Sequence, residues 1–488
     1  MSGTPARADH EHVDVLVVGA GISGISAGWH LQTRCPDRSY LILEARDAIG
    51  GTWDLVRYPG VRSDSDMHTL GFSFQPWTGE ASIADGASIR RYIEQTAREH
   101  GIDRHIRFGI RVKSADWSER DARWTVKAVG RTDDLVFTCS FLDLCAGYYD
   151  YDAGHAPAFA GSEDFAGTIV HPQLWPDDLD MRGKRVAVIG SGATAVTLIP
   201  AIADRAAHVT MVQRSPSYVV AQPLRDGTAA RLRRLFGIRT AYRMVRAKNV
   251  LLSIIFFQAS RRWPRAMARR MIGMVQQALG ADYDTATHFT PRYKPWDQRV
   301  CLTPDGDFFA AISSGRASVV TGTIDRLEMG GIRMADGQQV AVDILITATG
   351  LSIKLAGGIS FTLDGREIDF AGRLQYRGMM FDGVPNLAFT FGYTNASWTL
   401  KADLTALYVC RLLNAMRRRG ARVVVPMNDD PAIRIEAFLP FTSTYIERVA
   451  DRLPLQGTRS PWRLHQNYLL DVLALRFGRV RRKMRFIR

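Results

Sequence analysis

The feature that most limits what this chain can fold into is an apolar, β-branched run ending in closely spaced glycines, and it occurs twice. The first copy is Val13-Asp-Val-Leu-Val-Val-Gly-Ala-Gly-Ile-Ser-Gly24. A helix-like stretch, Ile25–Gln32, leads from it to a second apolar run, Tyr40–Leu43, closed by Glu44. The three glycines have separate tasks. Gly19 permits a tight strand-to-helix turn, Gly21 lets backbone approach a pyrophosphate, and Gly24 lets helix and strand pack closely. Ser23 sits in the same turn, where the first helical amides face the phosphates. Glu44 lies about 25 residues after Gly19, where a carboxylate can accept from ribose hydroxyls. Strand, turn, helix, strand and acid in that order point to dinucleotide binding; the glycines alone do not.

The second copy is Arg185-Val-Ala-Val-Ile-Gly-Ser-Gly-Ala-Thr-Ala195, with Gly190, Gly192 and Ala195 in the three small positions and Ala193 and Thr194 opening the helix. Its following strand, Val209–Val212, ends in Gln213-Arg214-Ser215. The acid is missing and an arginine stands nearby. A carboxylate would repel a 2′-phosphate, whereas a guanidinium binds one with paired hydrogen bonds. The first site is therefore expected to take a nucleotide with a free ribose and the second NADPH, with Arg214 and Ser215 at the phosphate. The plainer reading of Arg214 is a surface arginine closing a strand. Two such units suit a flavoprotein that receives hydride from a nicotinamide.

Composition narrows the class further. A chain of 488 residues holds two to three domains at ~100–200 residues each. With 46% hydrophobic and 23% charged residues it is neither disordered nor a disulfide-stapled scaffold. Its five cysteines are scattered without any C-x-x-C, which argues against a redox dithiol. The eleven histidines show no metal-ligand spacing, so no metal is expected. The first apolar run is too short for a signal peptide and has acids around its start, which makes a cytoplasmic protein the expectation. The net charge of +14 favours nucleotide phosphates or anionic lipid as partners. No nucleic-acid recognition motif appears, and no such partner is expected.

One apolar stretch, Val250–Phe257, falls far short of the ~20 residues needed to span a bilayer. Arg231, Arg233, Arg234 and Arg246 precede it; Arg261, Arg262, Arg265, Arg269 and Arg270 follow. It reads either as a core helix in a basic insertion or as a patch lying on an anionic membrane, making peripheral membrane association an open expectation. The basic C-terminal run, residues 476–488, is a second such patch.

Between the two glycine turns lies Phe165-Ala-Gly-Thr-Ile-Val-His-Pro-Gln-Leu-Trp175, an F-x-G-x-x-x-H-x-x-x-W pattern on Phe165, Gly167, His171 and Trp175. Gly50-Gly-Thr-Trp53 and Tyr58-Pro-Gly-Val-Arg-Ser-Asp64 follow the first turn. Together these resemble the ordered signature of the type I Baeyer–Villiger flavin monooxygenases. Relatives that oxygenate nitrogen and sulfur share the linker's shape but usually lack the terminal tryptophan, so Trp175 favours ketone oxygenation. The segments 57–67, 190–198, Pro295-Trp-Asp-Gln-Arg299 and 393–403 are similar to the ethionamide-activating branch found in mycobacteria, and the likeness runs through nearly the whole chain.

The resemblance implies FAD, NADPH and O₂ as reactants. A C4a-peroxyflavin would attack a ketone carbonyl to give an ester or lactone, and would also oxygenate thioethers and thioamides. It implies Arg299 as the cation at the reacting oxygen and Asp64 as the carboxylate that positions it. Gly51, Thr52, Trp53 and Asp64 then belong to the flavin site. His171 would tie interdomain movement to turnover, and Trp398 and Lys401 would lie on a nicotinamide-side loop. Without the resemblance, Arg299 is one more solvated arginine.

The expected fold is α/β: two Rossmann-like dinucleotide-binding domains with a helical insertion, both sheets mainly parallel with helices on each face. The expected division is a flavin domain over 1–150, linker and nicotinamide domain over 151–225, insertion over 226–298, nicotinamide domain again over 299–350 and flavin domain over 351–488. Val342–Gly350 reads as a returning strand that leads back to the flavin domain. Two alternatives stand beside a ketone oxygenase: a nitrogen- or sulfur-oxygenating flavin enzyme, and a non-catalytic FAD/NADP sensor or membrane-bound scaffold.

Overall fold

The computed structural model describes residues 11–439 and 444–488. Part of the acidic lead-in to the first apolar run, and the opening of the 1–150 unit, lie outside the described residues.

The strand Glu11–Val18 runs through the middle of a nine-stranded sheet, parallel to Tyr40–Leu43 on one side and Asp134–Leu144 on the other. Its apolar run is continuous because both faces are covered. Val15 and Val17 join a core with Ile25 and Leu31 of the helix Ile22–Arg34. Leu16 and Val18 join another with Trp117 and Trp124.

This sheet is less parallel than the sequence led us to expect. Arg111–Ser118, Arg123–Val129 and Asp134–Leu144 form an antiparallel meander. Along Arg123–Val129 only Trp124, Val126 and Ala128 are buried, the alternation of a strand with one exposed face. Chain from the far end then completes the sheet. Ser360–Leu363 pairs parallel with Arg111–Ser118, and Leu387–Phe389 pairs parallel with Asp134–Leu144.

The second sheet matches the expectation. Its five strands, in the order Ala317–Thr321, His208–Gln213, Arg185–Ile189, Ile344–Thr347 and Thr168–Val170, are all parallel.

Two helices, Gly227–Arg262 and Pro264–Leu279, interrupt the second unit. Gly237 breaks the first with a left-handed backbone, φ 72°. The run Val250–Phe257 divides between environments: Val250 is buried, while Leu251, Leu252 and Ile255 are more than half exposed. Among the described residues no helix is long and apolar enough to cross a membrane. The longer helix is fastened to the first sheet's domain. Tyr242 donates to the Phe72 carbonyl at 2.9 Å, and the buried Arg246 donates to the carbonyls of His68 and Gly71 at 2.8 and 2.7 Å.

Candidate active site

A cavity of about 520 Å³ opens where the carboxyl ends of the two sheets meet; the first glycine turn contributes Gly19 and Gly21 to its wall, whereas from the second it is the helix start, Ala193 and Thr194, and not Gly190 or Gly192, that lines it. At the first turn, Gly19 adopts φ 103°, and a Cβ there would stand 2.7 Å from the Cys145 carbonyl oxygen. At Gly24 a Cβ would fall 1.9 Å from the Gly19 oxygen, so helix and strand are in backbone contact. Gly21 faces Gly51, whose own φ is 57°. The second turn repeats the construction: Gly190 has φ 133°, and a Cβ there would lie 2.3 Å from the Ala348 oxygen. A Cβ at Gly192 would meet nothing within 4 Å. Ala195 is buried in the core beneath.

Both helices begin without a side-chain cap. Gly21 stands at the N-cap of Ile22–Arg34 and Gly192 at that of Ala193–Ile202. Gly21, Ile22 and Ser23 from the first helix and Ala193 and Thr194 from the second line the same cavity. Two sets of uncapped amides at positive dipole ends converge on one space, an arrangement suited to two pyrophosphates.

Glu44 closes its strand at the cavity wall. One carboxylate oxygen accepts from the Ala20 amide at 2.7 Å and the other from the Arg46 amide at 2.8 Å. Burial raises its pKa, and these two amides work against that rise. Thr52 and Trp53 also line the cavity, and the Thr52 hydroxyl meets that of Tyr151 at 3.1 Å. Beneath this loop Asp54 is buried among Arg46, Arg57 and Arg90. Burial pushes its carboxyl up, but the three guanidiniums leave it below the usual carboxylate value.

Asp64 and Arg299, 235 positions apart, form a direct ion pair on the cavity wall, each about one-third exposed. The linker motif is less unified. His171 lines the cavity; Phe165, Gly167 and Trp175 do not. Phe165 is packed in the core below the second sheet, and Trp175 lies against the adjoining core. A Cβ at Gly167 would strike the Asp343 oxygen at 2.4 Å. His171 accepts the Gln173 amide on Nδ1 at 3.2 Å, capping a short turn. Desolvation lowers its pKa, opposed by the Gly350 backbone.

Arg214 and Ser215 lie outside the cavity wall and are exposed; the Ser191 hydroxyl donates to the Ser215 carbonyl at 3.0 Å. Trp398 lines the cavity and donates from Nε1 to the Ser23 hydroxyl at 2.8 Å. Lys401 corrects the family-based expectation. It is 1% exposed, with Nζ on Asp471 at 2.8 Å and on the Arg377 carbonyl at 3.2 Å, a core ion pair that lies behind the wall residue Tyr393 and does not itself line the cavity. Residues three apart share a helix face, so the two are neighbours: Trp398 reaches the cavity, while the Lys401 side chain ends on Asp471. The sequence reading missed Tyr148, Tyr149 and Tyr151, which line the cavity with Tyr148 stacked on Trp398 at 5.2 Å between ring centroids. The signal was present as a tyrosine cluster just past the end of a buried strand.

Two Rossmann-like sheets with uncapped helix starts facing one cleft define a protein built to hold two dinucleotides in reach of each other. Residues 17–79 match the family of NAD(P)-binding Rossmann-like domains. Among curated proteins, the chain is 54% identical over 471 residues to the FAD-containing monooxygenase EthA of Mycobacterium tuberculosis, spanning 96% of each. It is 50% identical to EthA of Mycolicibacterium smegmatis, again over 96% of both chains. Among solved structures, an oxidized steroid monooxygenase bound to NADP superposes with a TM-score of 0.73 at 24% identity, over 98% of this chain and 99% of that one. The chain belongs to the FAD-containing monooxygenase family of EthA.

Proposed function

We propose that this protein is an FAD- and NADPH-dependent Baeyer–Villiger monooxygenase that converts ketones to esters or lactones and also oxygenates thioethers and thioamides. The observation that carries the reading is the Asp64–Arg299 pair on the wall shared by the first glycine turn and the helix start after the second. The residues present fit both cofactors. The backbone cradle at Gly19, Gly21, Gly24 and Gly51 would hold FAD, with Glu44, Thr52 and Trp53 beside it. Gly190, Gly192, Ala193 and Thr194 would hold the NADPH pyrophosphate, with Arg214 and Ser215 at its 2′-phosphate. When bound, NADPH would supply the two electrons and the flavin would carry them and activate the oxygen.

The protein's own part is positioning and electrostatics. As a ketone carbonyl becomes tetrahedral its oxygen gains negative charge, and Arg299 presents a fixed guanidinium to it. Asp64 holds that guanidinium in place and partly neutralises it. The two helix starts keep the dinucleotides registered across the cleft. Losing one such electrostatic donor costs ~10²–10³ in rate. Arg299→Ala is therefore expected to retain flavin and NADPH binding while ester formation falls by about that factor, read by product identification against NADPH consumed. Ester made at the parental rate removes the assignment. Efficient sulfoxidation with peroxide release from every ketone tested favours the heteroatom oxygenase instead.

We also infer peripheral contact with an anionic membrane. Leu235, Phe236, Ile238, Leu251 and Trp263 on the insertion are at least half exposed, and arginines lie among them. Apolar side chains framed by cations suit the headgroup boundary of an anionic bilayer. Binding to phosphatidylglycerol vesicles but not to phosphatidylcholine vesicles tests it.

A further inference from the structure

The residue three before Arg299 has a backbone that its side chain should resist. Trp296 adopts φ 69°, a genuine outlier for a bulky residue. The Asp297 amide donates to the Lys294 carbonyl at 3.0 Å, so Lys294-Pro295-Trp296-Asp297 closes as a tight turn. Proline in second place and positive φ in third is the type II pattern, whose third position ordinarily belongs to glycine or asparagine. Tryptophan there is held in a strained backbone conformation. Its buried indole N–H also has no acceptor among the described residues.

Packing offsets these costs. The indole meets Phe256 and Phe257 of the insertion helix edge-on, at 6.1 and 5.6 Å between centroids. It joins a small core with Met267 and Ile272 of the next helix, with Val300 beside Arg299 and with Leu302 of the strand Cys301–Pro304 that follows. One turn farther along the same helix, Arg261 donates to Asp297 at 2.6 Å. The other Asp297 oxygen accepts from the Lys294 amide at 3.2 Å, bracing the turn. That pair is half exposed at Arg261 and adds little energy by itself, so the aromatic contact is the main anchor.

We propose that Trp296 is a positioning residue: seated between Phe256 and Phe257, it makes the insertion the strut that sets where Arg299 stands against Asp64. The proposal rests on the reading of Arg299 as the active-site cation. A glycine at this position would relax the backbone but release the turn from the helix, so stability and activity should separate.

The test compares Trp296→Gly, Trp296→Phe and Phe257→Ala in the flavin-loaded enzyme with a turned-over ketone, alongside Arg299→Ala. Trp296→Gly is expected to lower kcat about 10–100-fold, the scale of a misplaced catalytic group, with KM within about twofold. Flavin content and melting midpoint should stay near the parent's, while more NADPH is consumed per ester formed. Trp296→Phe, which keeps the ring and removes the orphaned N–H, should recover most of kcat. Phe257→Ala, which leaves the turn's own sequence intact, should reproduce the glycine variant's loss. Parental kcat in Trp296→Gly or in Phe257→Ala overturns the proposal, as does a phenylalanine variant as slow as the glycine one. Parental ester formation in Arg299→Ala fails the underlying reading instead.

Discussion

Gly24 and Gly19 show how little room single positions leave. The missing Cβ at Gly24 would overlap the Gly19 carbonyl oxygen at 1.9 Å, and both atoms belong to backbone that cannot swing aside. Gly24→Ala is therefore expected to yield protein that purifies colourless and stays so after incubation with FAD. A yellow variant with parental flavin content would contradict the close-packed turn. His171 is constrained differently, by its protonation state. Nδ1 can accept the Gln173 amide only while it is deprotonated, and burial depresses the imidazole pKa. The unfolded chain takes up a proton near the ordinary 6.5 while the folded protein resists it until lower pH. The His171 contribution is thus whole above about 6.5 and is lost as pH falls through the depressed folded value. Asn offers an oxygen acceptor that does not titrate. The melting difference between parent and His171→Asn should accordingly move in the variant's favour between pH 7.5 and 5.5; a constant difference would rule this out.

At the level of elements, the helix Trp398–Arg419 joins two sites that look unrelated in sequence. Its first turn places Trp398 over Ser23 at the cavity, and it packs along Ile22–Arg34 through Ser26 and Asp403. Burial would lift the Asp403 carboxyl, yet His30, Arg246 and Ser26 bring it down to about 2. A turn from Trp398, Lys401 pairs with Asp471, which also accepts from the Tyr393 hydroxyl at 2.7 Å. The pair pins the C-terminal segment to this helix. Removing the ammonium while leaving the carboxylate enclosed typically costs ~3–5 kcal/mol. Lys401→Met is expected to lose stability on that scale in denaturant unfolding, with ketone kcat in the surviving folded protein changed far less. A large kcat loss at full stability would return Lys401 to the reaction site.

Across the whole molecule, the proposed membrane contact would draw on both the +14 charge and the exposed apolar side chains of the insertion. Screening shortens the reach of the charges to ~10 Å at 0.1 M salt but leaves the apolar contribution nearly untouched. Vesicle binding should therefore fall with added salt without reaching zero, and Phe236→Ser should reduce the salt-resistant part. Binding that salt abolishes completely would leave the arginines as the sole contact.

The turns and the order of strands around them were legible in the sequence because each depends on local geometry: glycine where φ is positive or backbones touch, an apolar run where a strand is covered on both faces; Arg299 stood out only through the family resemblance. The second sheet came out all parallel for that reason, whereas the meander from Arg111 to Leu144 did not announce itself. Its strands alternate and join through short turns, a pattern that does not reveal which larger sheet they extend. The linker likewise reads as one motif but divides in space, His171 at the cavity and Phe165 and Trp175 in cores. Only the folded chain decided which of Trp398 and Lys401 faces the cleft and that an insertion helix carries the turn beside Arg299; the Asp64–Arg299 pair, 235 residues apart, was expected from the family resemblance and from no local pattern. Those outcomes are set by side chains from distant segments competing for the same buried volume, which no local pattern encodes.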